Sequence, residues 1–377
     1  MVSVAPPIVR PEARAEEKVY TASQWELMRW RLFKHKLAVV SLALLACFYI
    51  IAIFCEFIAP NDPHRQEGRY HLSPPQKIHF VDETGFHLRP FVYGTKGKRD
   101  PVTLRMVYEE ERTVKHPIRF LQRGDGYRMW GVWRTDLHLF GIEDQDARLL
   151  LLGADTLGRD MLSRIIYGAR LSLSIGFVGV MISLILGIVL GGISGYFGGA
   201  IDMIIQRIIE LLQAIPGIPL WLTLAAAMPR EWSNIQVYFA ITVILAIQGW
   251  TGLARAVRGK FLALREEEFV LAAKFLGASE MRIVLRHMVP SFTSHLIAVL
   301  TLRVPGMILA ETSLSFLGLG LQAPVISWGV LLSGAQNIVA VAQAPWLLLP
   351  GAAIVVTVLA FNFAGDGLRD AADPYAQ

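Results

Sequence analysis

The sequence predicts an all-α polytopic membrane protein with six transmembrane helices and a β-rich insert between helices 1 and 2. Three observations carry that prediction. Hydrophobic residues make up 54% of the 377 residues and charged residues only 18%, against about 25% charged in an average soluble chain. Mean hydropathy is +0.45. Charge is also unevenly spread, because 33 of the 67 Lys, Arg, Asp and Glu residues fall between positions 60 and 170. This composition excludes a disordered, collagen-like or disulfide-scaffold chain. The formal charge of +5 is distributed over several segments. No basic stripe with interleaved aromatics appears, so no nucleic-acid partner is expected.

The first span is read at residues 37–58, from Leu37 to Ile58, interrupted only by Ser41 and Glu56. At ~1.5 Å per residue the run covers about 33 Å, enough for a ~30 Å hydrocarbon core. A cleaved signal peptide is the competing reading. The apolar stretch exceeds the usual ~7–15 residues and about 36 residues precede it, so retention as an anchor is expected. Further spans are read at Leu171 to Ile193, Met203 to Ala227, Ile235 to Gly252, Ser291 to Ser315 and Trp346 to Ala364. The third is the least regular, with Arg207 and Glu210 near its start and Pro216 and Pro219 in its middle. With the N-terminus inside, the short cytoplasmic pieces carry 15 Lys and Arg and the short external loops only Arg230. That bias places both termini, residues 1–36 and 366–377, in the cytoplasm. Cys47 and Cys55 lie about 12 Å apart along the first helix, too far for a disulfide.

Residues 60–150 read as a folded external insert. Strands are expected at Lys77 to Val81, Thr103 to Tyr108 and Met129 to Trp133, bounded by Gly, Pro and Asp, in a two-layer module. Six of the nine histidines fall here, and His64, His71, His79 and His87 recur every seven or eight residues. Metal sites prefer tighter pairs, so incidental surface histidines and no metal site are expected. The residues Tyr127, Trp130, Trp133, Arg119, Arg123, Arg128 and Arg134 suit a contact with another protein at the outer mouth.

No catalytic constellation is visible: HExxH, GxSxG and GxxxxGK[ST] are all absent, so any ATP is expected on another chain. In span two, Gly187, Gly191, Gly195 and Gly199 recur every four residues and should line one stripe for close helix packing. Arg207 and Glu210, three apart, should form an ion pair on one helix face. Arg303 and Glu311 lie eight apart in span five and cannot meet each other. Each needs a partner on another helix or a water-filled path. The segment Arg265 to Pro290 reads as two short helices, with Gly277 as a C-cap, Ser279 before the next start and Pro290 at the exit. Ala273 and Gly277 are four apart. Small side chains there are expected to seat in a groove of another protein, with Glu266, Glu267 and Glu268 as polar anchors.

That segment resembles the EAA-x3-G-x9-I-x-L-P signature of permease subunits of binding-protein-dependent ABC importers. The corresponding positions are Leu271, Ala272, Ala273, Gly277, His287, Val289 and Pro290, with Leu271 in place of the signature Glu and Val289 in place of Leu. "GADTLGRDMLSRIIYGARLSL" (Gly153 to Leu173), "GGISGYFGGAID" (Gly191 to Asp202), "ETSLSFLGLGLQAPVISWG" (Glu311 to Gly329) and "NFAGDGLRDAADP" (Asn362 to Pro374) are similar to the C-type subunit of the dipeptide/oligopeptide branch. The resemblance implies a type I ABC importer permease fold over residues 165–365 and a coupling segment at 262–290. It implies ATPase coupling through Arg265, Glu266, Glu267, Glu268, Ala272, Ala273, Gly277 and Pro290. The implied partners are a homologous B-type permease, two ATP-binding subunits holding ATP and Mg, and a periplasmic binding protein at a bacterial inner membrane. Peptides are the implied solute. The same branch also handles nickel, opines, glutathione and some oligosaccharides, and the insert is longer than this branch usually carries.

Overall fold

The computed structural model describes residues 24–83, 85–102, 106–144, 146–229 and 231–372. Residues 1–23 and 373–377, residues 103–105 of the second expected strand, and Arg230 lie outside the described residues. The chain begins with α1 (Gln24–Lys34) and α2 (Lys36–Ile53), broken at Phe54 before the short α3 (Cys55–Ile58). Buried Ala38, Ser41, Leu45 and Ala52 form the inward stripe of α2. Val40, Ile50 and Ile53 stay exposed, as a lipid-facing side requires.

The helical body follows the insert. It comprises α4 (Met161–Phe197), α5 (Gly199–Ala214), α6 (Gly217–Ala226), α7 (Asn234–Leu264), α8 (Glu268–Phe275), α9 (Thr293–Phe316), α10 (Trp328–Ser333) and α11 (Leu349–Ala372). Among the described residues five helices are long and apolar enough to cross a membrane, and α5 with α6 makes a sixth only as a pair bent by 84°. The third span, expected from Met203 to Ala227 with prolines in its middle, is accordingly broken there. Pro216 cannot donate a helical hydrogen bond, so the helix ends at the residue before it. The Gln248 side-chain amide on α7 donates to the freed carbonyls of Ile215 at 3.0 Å and Leu212 at 3.3 Å. A polar side chain thus satisfies backbone that no water in hydrocarbon could reach.

The second and fourth spans extend beyond their expected bounds at both ends, and the sixth beyond its expected end. The N-cap carboxylate of Asp160 accepts from the backbone N–H groups of Leu162 and Ser163, so α4 starts ten residues before Leu171. The main core joins α2, α4, α7, α9, α10 and α11 around Leu45, Leu173, Leu245, Ile308, Trp328 and Phe361.

The glycine stripe packs α4 against α7. A Cβ built on Gly191 would stand 2.4 Å from the Ala254 carbonyl oxygen, and one on Gly195 2.7 Å from that of Arg258. Gly187 meets the Leu253 side chain in the same seam. Gly199 departs from this pattern. It lies beyond the helix at φ +56° with open space around it, so it serves the α4–α5 turn and not the seam.

The insert is one antiparallel sheet in the order β1-β2-β3-β4 and not two layers. Its strands are β1 (His79–Asp82), β2 (Gly85–Arg99), β3 (Met106–Met129) and β4 (Trp133–Ile142). β3 is long enough to pair with β2 through its first half and with β4 through its second. Residues 129–133, expected as a strand, instead contain the β3–β4 turn, where Trp130 and Gly131 both take positive φ. The insert's charges are used internally at its base. Arg148 pairs with Glu67 and Asp125 at 2.8 Å each, and Arg65 pairs with the same two carboxylates at 3.0 Å. The Tyr108 hydroxyl donates to the carbonyls of His71 and Arg69, and burial pushes its pKa up to about 12. The spaced histidines go to separate partners: His71 to the Thr156 carbonyl, His79 to Glu110 and His87 to Asp82.

The seam makes a testable contrast between two glycines. Gly191→Ala should destabilise the protein by about 1–3 kcal/mol through overpacking. Gly259→Ala, in an exposed turn of α7 with nothing within 4 Å of the added carbon, should be neutral or stabilising by up to ~1 kcal/mol. Thermal unfolding of the solubilised protein measures both. Equal losses would show that close packing is not what Gly191 provides.

Candidate functional site

Glu311 lies on α9 with no exposed surface. Its carboxylate accepts from Ser315 Oγ at 2.8 Å, Ser327 Oγ at 2.9 Å and Ser172 Oγ at 3.5 Å. Each serine in turn accepts a backbone N–H. Ser315 receives Leu321 at 3.0 Å, Ser327 receives Val330 at 3.2 Å, and Ser172 receives Trp328 at 3.1 Å. The carboxylate orients three hydroxyls, and the hydroxyls hold the amide of Leu321 in the segment linking α9 to α10 and those of Trp328 and Val330 in the first turn of α10. The Trp328 indole then donates to the Ile165 carbonyl on α4 at 3.0 Å.

Arg303, two turns earlier on α9, is half-buried and donates to the Gly249 carbonyl on α7 at 3.0 Å. Both residues therefore find partners on other elements, as cost in a membrane demands. Neither partner is a charge. Arg207 and Glu210 pair on α5 at 2.6 Å as their spacing predicts, but the pair faces outward, with the arginine side chain 76% exposed.

At the opposite end of α7, Arg258 grips Asp202 through two parallel hydrogen bonds of 2.6 and 2.5 Å. Ser194 on α4 donates to the same carboxylate at 2.5 Å. One carboxylate thus joins α4, α5 and α7. Sequence reasoning passed over Asp202 and Arg258, because Asp202 reads only as the end of an apolar glycine-rich run. Its signal was a lone acid in the first turn of an otherwise apolar amphipathic helix.

α7 leads through Arg265, Glu266 and Glu267 into α8, where the three expected acids sit at or before the helix start. Only one local ion pair forms there, Arg265 with Glu266 at 3.4 Å. The end of α8 is a Schellman cap: Ala278 N–H donates to the Ala273 carbonyl and Gly277 N–H to that of Lys274. Gly277 adopts φ +75° with open space around it. Its conformation is what requires glycine. Ala273 is buried with Val270 and against Ile283 and Met288, so the expectation that it presents a small exposed face is corrected. Ala272 and Pro290 flank this cluster, Pro290 within a short turn that follows a π-helical stretch, Ile283–Met288. Phe275 and Leu276 project at the tip, 90% and 88% exposed.

Residues 187–376 match the family of binding-protein-dependent transport system inner membrane components. The chain belongs to that family. Residues 23–75 also match the N-terminal transmembrane domain of oligopeptide transport permease C. The dipeptide transport system permease protein DppC of Bacillus subtilis is 42% identical over 224 residues, covering 59% of this chain and 68% of that one. The oligopeptide transport system permease protein OppC of Haemophilus influenzae is 43% identical over 223 residues, with 59% and 69% coverage. The glutathione transport system permease protein GsiD of Pectobacterium atrosepticum is 41% identical, with 59% and 72% coverage. A chain of the MetNI methionine ABC transporter aligns at 19% identity and a TM-score of 0.45 over 56% of this chain and 98% of that one. This permease is an integral inner-membrane subunit of a binding-protein-dependent ABC importer, and Glu311, Asp202 and α8 all fall within the matched region.

The relay around Glu311 gives a graded expectation. Glu311→Leu orphans up to three buried hydroxyls at about 1–3 kcal/mol each and should sharply lower the unfolding temperature of the permease in detergent. Glu311→Gln keeps an acceptor oxygen and should lose much less. Similar losses in the two variants would mean that the carboxylate is not the organising group.

Proposed function

We propose that this permease forms one half of the pathway by which an ATP-driven importer takes up di- and oligopeptides. A second, B-type permease forms the other half, and two separate ATPase subunits bind ATP and Mg and drive the cycle. The observation that carries the reading is the tip of α8. Phe275 and Leu276 stand almost fully exposed at the far end of the helix that Glu266, Glu267 and Glu268 lead into, and its inner face is locked to α7 by Val270, Ala273 and Phe261. An apolar pair in that position is a hot spot without its pocket. Motion of a bound ATPase would pass through the capped helix into α7, and through Asp202–Arg258 into α4 and α5.

The peptide assignment is supported by the relatives, which are dipeptide, oligopeptide and glutathione permeases. The apolar outer face of α5 and α6, with Met203, Ile204, Leu211 and Ile218 exposed around Arg207–Glu210, suits the partner permease. The charge bias puts both termini and α8 in the cytoplasm and the β insert in the periplasm, where a binding protein delivers solute. In this arrangement the chain itself carries no ATPase site.

Phe275→Ala combined with Leu276→Ala should leave the spans inserted yet reduce co-purification of the ATPase subunits and peptide-stimulated hydrolysis by roughly tenfold, equivalent to about 1.4 kcal/mol of docking. At Gly277, Asn tolerates positive φ and Val does not, so Gly277→Asn should retain more transport than Gly277→Val in proteoliposomes. Undiminished hydrolysis in the double variant would overturn α8 as the docking element.

A further inference from the structure

The β3–β4 hairpin does not project away from the helical body. Its middle is tied to the chain leaving α3: a His138 ring nitrogen lies 2.6 Å from the Ala59 carbonyl and the other 2.9 Å from that of Asp125. Five residues further toward the tip, the hairpin has run back along α3 to the end of the first span. There the Trp130 indole N–H donates to the Ile53 carbonyl at 2.8 Å, and the ring sits 5.6 Å from Phe54 and 5.7 Å from Trp133. α2 spans 18 residues, or about 27 Å, so Ile53 stands at the edge of the ~30 Å hydrocarbon layer. The tip therefore reaches the level at which the span leaves the bilayer.

The tip combines exposed apolar side chains with two arginines, beside the Arg170–Glu56 ion pair whose arginine also donates to the Ile53 carbonyl. Trp130, Val132 and Trp133 are 46%, 70% and 63% exposed, and Trp130 brings them to the end of α2, where Ile50 and Ile53 are exposed too. Arg128 and Arg134 face each other directly across the ladder, a like-charge pairing that is unfavourable without an anion between or beside them. Among the described residues neither makes an ion pair within 4 Å. Trp130 is also held at φ +50°, a conformation costing a bulky L-residue about 1–2 kcal/mol. The turn keeps it with the indole against the span end.

We propose that this hairpin tip is a membrane-interface anchor. Trp130, Val132 and Trp133 insert among the lipid headgroups beside α2, and Arg128 and Arg134 bind lipid phosphate. Indole rings favour this layer because one edge is apolar and the other donates a hydrogen bond. Paired guanidinium groups meet phosphate oxygens with matching geometry. The anchor would hold the sheet at a set height on the bilayer, and it assigns Trp130, Trp133, Arg128 and Arg134 to lipid where the sequence suggested a protein partner. The inference does not depend on which solute is carried or on which side of the membrane the insert lies.

The test uses the full chain in its assembled complex, in liposomes of phosphatidylethanolamine and phosphatidylglycerol. Cys47→Ser and Cys55→Ala remove the native thiols, and Val132→Cys carries an environment-sensitive fluorophore. A second sample carries it at Leu88→Cys, an 89% exposed position on β2. The label at 132 should be blue-shifted and quenched by lipids bearing a nitroxide near the headgroup, while the label at 88 is quenched only by aqueous iodide. Adding Trp130→Ser and Trp133→Ser should cut the lipid quenching at 132 roughly twofold or more. Iodide access at 132 equal to that at 88 would overturn the proposal. So would a label at 132 shielded from both quenchers, or shielded only when binding protein is added, since either places the tip against protein.

Discussion

A single buried carboxylate sets the geometry of the helical body at the end nearer the insert. Glu311 can be kept in a water-free interior only if hydroxyls donate to it, and Ser172, Ser315 and Ser327 do so. With their protons committed, those hydroxyls have only lone pairs to offer, and these capture the amides of Trp328, Leu321 and Val330. Leu321 in the segment between α9 and α10 and the first turn of α10 are thereby held to α9 and α4. Trp328 is drawn against α4, where it becomes one of the largest fully buried side chains. Part of that segment, Gly320, Leu321, Ile326 and Ser327, is buried in the body, while Leu317 and Leu319 stay exposed.

The end nearer α8 is organised by a second carboxylate on the same logic, but with a charge as partner. Close backbone approach along Gly187, Gly191 and Gly195 brings α4 and α7 together. That approach places Arg258 within reach of Asp202 at the start of α5. The ion pair sits just before the turn into α8, so the rigid seam and the exposed Phe275–Leu276 tip belong to one mechanical unit. A force applied at the tip meets a helix clamped on its inner face, with a Schellman cap at its end.

The sheet and the spans are also physically continuous. The insert's own core is small, built on Val92, Ile118 and Leu149. Its position depends on fixings to the chain around it: the ion network of Arg148 and Arg65, the His138 contact with Ala59, and Trp130 on Ile53. Four of the charges that mark residues 60–170 in the sequence, Arg65, Glu67, Asp125 and Arg148, meet at this base.

Much was legible from sequence because bilayer and backbone impose short-range rules. Apolar runs of about 20 residues identify spans, a glycine every fourth residue identifies a packed stripe, and Gly277 after an apolar helix identifies a cap. Arg207–Glu210 followed from a spacing of three. What sequence spacing could not supply were contacts between residues distant in the chain. Asp202 finds Arg258 across 56 positions and Ser172 finds Glu311 across 139. The inward turn of Ala273, the 84° bend after Ile215 and the return of the β3–β4 hairpin to Ile53 likewise depend on which surfaces meet. Local chemistry alone determined that this chain crosses a membrane, where it does so and which family it resembles. Only tertiary structure decided how its buried charges are satisfied, because each satisfaction needs a partner that folding alone brings within 3 Å or so.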